Sequence, residues 1–168
     1  LGITEKTCQV PVVTSMDTNK IGSVFGDVPV YFSKTCLDAD HSICINRIKP
    51  HTKFKGDLES GLAKMICVGM GKHDGALTYH HMALKYGFNT LLTKMSELIL
   101  EKTNFRFGIG IVEDGHDDTM AIKSVSALSL FKDEAELLIL AKKYIPKLPV
   151  KELDVLVALA PRDGARSS

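Results

Sequence analysis

The sequence lacks both a charge excess and any long apolar run. Its 168 residues carry 21 Lys and Arg against 20 Asp and Glu, which gives a formal net charge of +1. Proteins that bind nucleic acid or anionic membranes concentrate unpaired Lys and Arg on one face, and this balance removes the electrostatic case for either partner. No stretch approaches the roughly 20 apolar residues of a membrane-spanning helix. We therefore expect no nucleic-acid partner, no membrane span and a small-molecule partner.

The sequence also lacks paired cysteines and a recognisable leader. Its cysteines occur singly, without a Cys-x-x-Cys pair, in a chain long enough to bury its own core: Cys8, Cys36, Cys44 and Cys67. This usage favours reduced thiols over a disulfide framework, so we predict a cytoplasmic protein. Residues 1–6 form neither a basic nor an apolar leader region. Because the first residue is Leu1 and not Met, we expect a piece of a longer chain.

Turn residues and hydrophobic patterns predict strands that alternate with helices. β-branched runs at 10–14 and 21–25 favour strands, and Gly26-Asp27 predicts a tight turn that joins the second run to 28–32. Further strands are predicted at 42–48, 105–112, 120–125 and 153–159, and helices at 57–68, 74–86, 90–102 and 132–144. This order predicts one layered α/β domain over residues 1–157, with a mixed sheet, an N-terminal β-hairpin and flanking helices, and a polar tail at 158–168.

The predicted helix at 57–68 has two faces of different character. Asp57 is an acceptable N-cap, and one apolar stripe recurs at helical spacing, formed by Leu58, Leu62, Met65 and Ile66. Ser60 and Lys64 lie four residues apart on a second face. Gly61 borders that face, and its missing side chain would let a ligand approach the backbone. A lone helix lysine is ordinarily solvated, so this face is a candidate site only together with other residues.

Four of the six histidines lie between positions 51 and 81: His51, His73, His80 and His81. A helical zinc pair usually has its ligands four residues apart, whereas His73 and His80 are separated by roughly 10 Å along a helix. His80 and His81 point about 100° apart, which disfavours joint chelation. If His80 binds a metal, the other ligands must come from distant segments or from a non-protein cofactor.

Two other motifs are weaker candidates. The glycines at 69, 71 and 75 suggest a dinucleotide-binding loop, but the third is one position late and the preceding segment is predicted to be helical. Gly108 and Gly110 lie inside a predicted strand and have no third glycine. The acidic residues at 113–118 have the chemistry of a hard-cation site, yet an acidic turn between strands is the favoured interpretation.

The run at 46–65, with its continuation at 69–72 and 79–80, resembles a known family. It reads Asn-Arg-x-Lys-Pro-His-Thr-x-Phe-x-Gly-x-x-Glu-Ser-Gly-Leu-x-Lys-Met, followed by Gly-x-Gly-Lys and then Tyr-His. This pattern is similar to a branch of the nickel-pincer-dependent isomerases typified by lactate racemase. The resemblance extends from residues 2–5 to residues 153–156, and its many fixed identities make it far more specific than a short motif. Residues 158–168 depart from the acidic, glycine-rich segment with which the family continues.

The resemblance implies a role for each of several residues. His51 is implied to be an acid/base, and Lys64 the covalent anchor of a pyridinium-3-thioamide-5-thiocarboxylate mononucleotide, with Ser60, Gly61 and Lys72 as further cofactor-binding residues. His80 is implied to be the protein ligand of nickel. In this nickel-pincer nucleotide the other donors are sulfur, carbon and sulfur, in the square-planar arrangement that Ni(II) favours. Cofactor-synthesis proteins are implied partners for maturation.

The implied activity is a racemase or epimerase of a small 2-hydroxy acid. In the family, an acid/base takes the hydroxyl proton while the C2 hydride moves to the cofactor and returns on the opposite face. This inversion needs two acid/bases on opposite sides of the substrate. His51 supplies one of them, and the family's other His falls upstream of residue 1. Several lysines are candidates to neutralise the substrate carboxylate or the cofactor phosphate: Lys49, Lys53, Lys55 and Lys72.

Two alternatives remain open at this point. The chain can be a non-catalytic scaffold or metal-binding module that keeps the family fold without its chemistry. It can also be a phosphate- or nucleotide-binding domain, as the basic residues at 51–56 before a predicted helix N-terminus indicate.

Overall fold

The computed structural model describes residues 2–51, 55–146 and Val155. Its first β unit is the predicted hairpin, in which β1 (Thr18–Val24) pairs antiparallel with β2 (Val28–Ser33). At the turn, Phe25 and Gly26 have φ angles of 53° and 84°. Glycine adopts such angles without steric cost, and Phe25 is held there by stacking on the ring of Tyr86, with centroids 4.4 Å apart. The hairpin prediction is confirmed.

A separate three-stranded sheet contains parallel and antiparallel neighbours. It consists of β3 (Ser42–Arg47), β4 (Phe105–Glu113) and β5 (Thr119–Ser126), in the order β3-β4-β5. β3 is parallel to β4, and β5 is antiparallel to β4. The residues at 114–118 form the turn between β4 and β5, where the Asp114 carboxylate accepts the backbone N–H groups of His116 and Asp118. The predicted mixed sheet and α/β class are confirmed.

Six helices accompany the strands in the part of the chain that the structure describes. They are α1 (Glu5–Cys8), α2 (Lys34–Asp38), α3 (Leu62–Lys64), α4 (Lys72–Tyr86), α5 (Phe88–Lys102) and α6 (Leu130–Tyr144). α3 continues directly into a π-helical turn at Met65–Gly69, and a 3-10 turn at Ala127–Ser129 precedes α6. Within the described ranges, none of these helices is both long and apolar enough to span a bilayer.

The core lies between the sheet and the helices, and glycines on the inner face of β4 let the helices approach. A Cβ at Gly108 would lie 2.8 Å from both terminal methyls of Leu62 in α3, and one at Gly110 would lie 2.8 Å from a methyl of Leu137 in α6. These contacts place the beginning of α3 and the middle of α6 against the same strand. The candidate site described below lies where these two helices meet the end of β3.

Several predicted elements differ from the observed fold in their existence or in their first residue. The run at 10–14 is irregular, because β-branched residues form a strand only where a neighbour pairs with them, and no described strand lies beside this run. The helix predicted at 57–68 begins only at Leu62, since Ser60 is engaged in a β-bridge with Lys49. The next three long helices each begin two residues before the predicted position, at Lys72, Phe88 and Leu130. The predicted strand at 153–159, the tail at 158–168 and Lys53 fall outside the described residues, apart from the exposed Val155.

Truncation of a core leucine should destabilise the fold far more than the same truncation on its surface. Leu91 in α5 is 0% exposed, and Leu84 in α4 is 83% exposed. We expect Leu91→Ala to lower the free energy of unfolding by about 2–5 kcal/mol, and Leu84→Ala to change it by less than about 0.5 kcal/mol. Urea denaturation followed by circular dichroism measures both values. Equal effects of the two substitutions would contradict the packing described above.

Candidate functional site

The candidate site is built where the segment after β3 pairs with the segment before α3. The Lys49 N–H donates to the Ser60 carbonyl at 2.8 Å, and the Ser60 N–H donates to the Lys49 carbonyl at 3.2 Å. This antiparallel bridge joins Lys49 to Ser60, and the predicted acid/base His51 lies between these two residues in the sequence. The bridge also explains why α3 begins only at Leu62. Ser60 has the extended backbone of a bridged residue, and this conformation is incompatible with a helix.

A cavity of about 240 Å³ opens beside this bridge and is lined by Asn46, Ser60, Lys64, Met65, Val68 and Gly69. The Asn46 side-chain N–H donates to the Gly61 carbonyl at 3.0 Å, which holds the end of β3 against the start of α3. Ser60 lies outside the helix, yet it shares the cavity with Lys64 as the sequence pattern predicts. The volume is slightly below the usual range for small-molecule pockets, so the cavity suits one ring of a ligand.

Lys64 is the cationic residue among those that line this cavity. Burial lowers the pKa of its amine below the ordinary value, and the positive charge of nearby Lys49 lowers the pKa further. Both effects disfavour the ammonium form, which raises the fraction of neutral, nucleophilic amine. The Lys64 amine is therefore more nucleophilic at a given pH than the amine of a fully solvated lysine.

A buried carboxylate from α6 supports the backbone under this cavity. Glu134 is buried, and one of its oxygens accepts the Ala63 N–H at 2.8 Å, while the Leu62 N–H also donates to the carboxylate. A Cβ at position 61 would collide with Glu134 Oε1, so glycine is required there by contact distance. Burial raises the pKa of Glu134 to about 7, although these backbone hydrogen bonds oppose the shift.

A second buried carboxylate, Glu59, joins three separate groups. Its Oε2 accepts the His51 N–H at 2.7 Å, and its Oε1 accepts the Gly56 N–H at 3.1 Å and the Lys142 ammonium at 2.8 Å. Burial acts to raise the pKa of Glu59, but the hydrogen bonds from Lys142, His51 and Gly56 outweigh it and hold the pKa below the usual value. Glu59 is therefore charged at neutral pH, with Lys142 as its counter-ion.

The structure brings some of the predicted site residues together and leaves others apart. Ser60 and Lys64 line the cavity, and Gly61 is buried directly beneath it. His51 is half-buried, and its backbone is bonded to Glu59. Lys72 begins α4 with a positive φ of 53°, and His80 lies exposed on the same helix beside the ring of Tyr79, with ring centroids 5.4 Å apart. His51, Lys72 and His80 are not among the residues that line the cavity.

The titratable side chains outside the cavity offer no ready-made metal centre. Across residues 2–51, 55–146 and Val155, no three His, Cys, Asp or Glu side chains gather closely enough to hold an ion. Cys44 and Cys67 are buried, and burial raises the pKa of each thiol to about 12, which makes both poor metal ligands and poor nucleophiles at neutral pH.

A larger open depression of about 1030 Å³ lies at the other end of the sheet and contains none of the predicted site residues.

Three residues of the site were not predicted from the sequence: Asn46, Glu59 and Glu134. Glu134 had a visible signal, because it occupies an otherwise apolar stripe of α6 with Leu130, Leu137, Leu138 and Ala141. An acidic residue at a core position needs hydrogen-bond partners, and this requirement indicates a structural or functional role. Glu59 and Asn46 carry no such periodic signal.

The chain matches no model of a known protein family and none of the curated proteins with which it was compared. The features of the chain that bear on its function are the motif at 46–65 and the surroundings of Lys64.

Glu134→Gln should remove part of the pH dependence of stability. The pKa of Glu134 is about 7 in the folded chain, against about 4.3 in an unfolded chain. Because the folded state binds this proton more tightly, the stabilisation is complete below the unfolded pKa and is lost as the pH rises through 7. Between pH 4.5 and 7.5 we expect the wild-type chain to lose on the order of 3 kcal/mol more than the variant.

Urea denaturation at a series of pH values measures this difference. Glu136→Gln is a matched control on the same helix, because Glu136 is exposed, and its pH profile should follow that of the wild type. Parallel profiles for the wild type and Glu134→Gln would show that Glu134 does not titrate as described.

Lys49→Gln should raise the pKa of Lys64 toward the ordinary lysine value. The substitution removes the neighbouring positive charge and leaves the burial of Lys64 in place, so the recovery is expected to be partial. The pKa can be measured by NMR on chains whose lysines carry ¹³C-methyl labels. Lys94→Gln is the control, since Lys94 is exposed on α5 and pairs with Glu97. An unchanged Lys64 pKa in Lys49→Gln would contradict the proximity of the two cations.

Proposed function

We propose that this chain is the cofactor-anchoring part of a racemase or epimerase that acts on a small 2-hydroxy acid. The observation that carries the proposal is the half-buried Lys64 amine, whose pKa is lowered and which shares a cavity with Ser60 above the buried Gly61. A lysine in such surroundings is suited to bond covalently to a carbonyl-type carbon. The sequence motif at 46–65 identifies the same lysine, and this agreement supports the proposal.

The residues around Lys64 fit one part of a nickel-pincer nucleotide. Lys64 would hold its pyridinium ring through a thioamide, and Ser60 and Gly61 leave space beside the attachment point. His80 would donate a single imidazole nitrogen to nickel, and its exposed position on α4 leaves this nitrogen accessible. When bound, such a cofactor accepts a hydride from the substrate and returns it. The roles of His80, Lys72 and His51 enter the proposal from the resemblance alone.

His51 would move the hydroxyl proton of the substrate. An imidazole has a pKa close to neutral and can therefore accept and return a proton at working pH. The His51 N–H donates to the carboxylate of buried Glu59 at 2.7 Å, and this hydrogen bond holds His51 next to the Lys49–Ser60 bridge. Lys49 or Lys72 would offset the negative charge of the substrate carboxylate or of the cofactor phosphate. The proposed setting is the cytoplasm, where cofactor-synthesis proteins would load the chain.

A second candidate function, phosphate or nucleotide binding without chemistry, is favoured by one observation. Lys49 lies close enough to Lys64 to lower its pKa, and two neighbouring ammonium groups attract an anion. A ligand held by charge alone would exchange freely with solvent, whereas the proposed cofactor would remain attached after denaturation. The two candidates therefore differ in a property that mass spectrometry measures.

Intact-mass spectrometry of the full-length protein, produced together with the cofactor-making enzymes, should detect a covalent adduct on Lys64. We expect Lys64→Ala to abolish the adduct, because the attached nitrogen is removed. His80→Ala should keep the adduct and lose nickel, as elemental analysis would measure.

Lys94→Ala serves as the control, since it removes an exposed lysine on α5 and should leave adduct and nickel unchanged. A wild-type protein without any adduct on Lys64 would reject the covalent anchor. Reversible binding of phosphate, weakened in Lys49→Gln, would then support the second candidate.

A further inference from the structure

We propose that Glu59 is a positioning residue for His51, with Lys142 of α6 as the counter-ion that keeps it in place. The inference rests on the proposed function, in which His51 is an acid/base. It adds two residues to which the sequence motif assigns no role, and one of them lies 83 positions away from Glu59 along the chain.

The contacts of Glu59 reach both ends of the stretch that carries His51. One carboxylate oxygen accepts the His51 N–H at 2.7 Å, and the other accepts the Gly56 N–H at 3.1 Å. The side chain is 1% exposed, so water does not replace these contacts. Charge-assisted hydrogen bonds of this kind are shorter and stronger than neutral ones. Glu59 therefore holds the backbone at both His51 and Gly56.

Lys142 makes this arrangement possible, because a buried carboxylate needs a compensating charge. Its ammonium lies 2.8 Å from Glu59 Oε1, and about two-fifths of its side chain is exposed. Lys142 and Glu134 are eight residues apart on α6, so both lie on the same side of the helix after about two turns. α6 thus contacts the site twice: Glu134 receives the N–H groups at the start of α3, and Lys142 neutralises the side chain that holds His51.

The substitution Glu59→Gln tests the role of the second carboxylate oxygen at nearly constant size. A Gln side chain has one acceptor, and we expect it to face Lys142 and Gly56, which together offer two donors. The amide nitrogen of Gln then faces the His51 N–H, which loses its acceptor. Hydrogen exchange at the His51 amide should accelerate by about tenfold or more, while exchange at Gly56 and at core amides of α5 should change little.

Lys142→Met tests the counter-ion, and Lys143→Met is its matched control, because Lys143 is the exposed neighbour on the same helix. We expect faster exchange at the His51 amide in Lys142→Met, near-normal exchange in Lys142→Arg, and no change in Lys143→Met. Unchanged exchange at His51 in both Glu59→Gln and Lys142→Met would overturn the proposal. The core amides of α5 report general loss of stability in the same spectra, so a poorly folded variant is recognised directly.

Kinetics of the cofactor-loaded full-length protein test whether the position of His51 matters for turnover. We expect Glu59→Gln to lower kcat by about tenfold or more with little change in KM, since misplacement of an acid/base affects mainly the transition state. Faster exchange at His51 with an unchanged kcat would show a purely structural role and overturn the proposal. A wild-type protein that neither carries the adduct nor inverts a 2-hydroxy acid would instead reject the proposed function, and the exchange measurements would still decide whether Glu59 positions His51.

Discussion

The buried carboxylate of Glu134 beneath the start of α3 is the contact on which the rest of the site depends. Removing a charged group from water costs several kcal/mol unless hydrogen bonds compensate. Here part of the compensation comes from the N–H groups of Leu62 and Ala63, which have no partner within the helix because they belong to its first turn; burial still outweighs them and raises the pKa. The absence of a side chain at Gly61 allows the approach. The position of α6 thereby fixes the start of α3 and, two residues later, Lys64.

The sequence predicts those parts of the fold in which local pattern and tertiary packing agree. The hairpin follows from the Gly26-Asp27 pair between two β-branched runs, and β3, α5 and α6 follow from their apolar patterns. The predicted start of the helix at Asp57 is wrong, although Asp57 and the stripe from Leu58 to Ile66 match a helix well. The hydrogen bonds that displace the helix start come from Lys49, across the site, and a local pattern contains no record of them.

The sequence indicates part of the candidate site, namely the residues of the motif at 46–65, and it does not indicate their distant partners. Ser60 and Lys64 were assigned to one face of a helix, and they do share one cavity, although only Lys64 is helical. Ser60 reaches the cavity from the extended segment before the helix, and Lys64 reaches it from the helix itself. Glu59 was part of the recognised motif without an assigned role. Its function in the fold depends on Lys142, and such a distant pairing is visible only in three dimensions.

The electrostatics of the site combine two requirements that conflict for a single lysine. Covalent attachment needs a neutral amine, whereas an anionic cofactor or substrate needs a lasting positive charge nearby. Lys49 separates the two functions, because its charge lowers the pKa of the more buried Lys64 and also attracts an anion. An anion bound beside Lys49 would cancel part of that effect and return Lys64 toward its charged form.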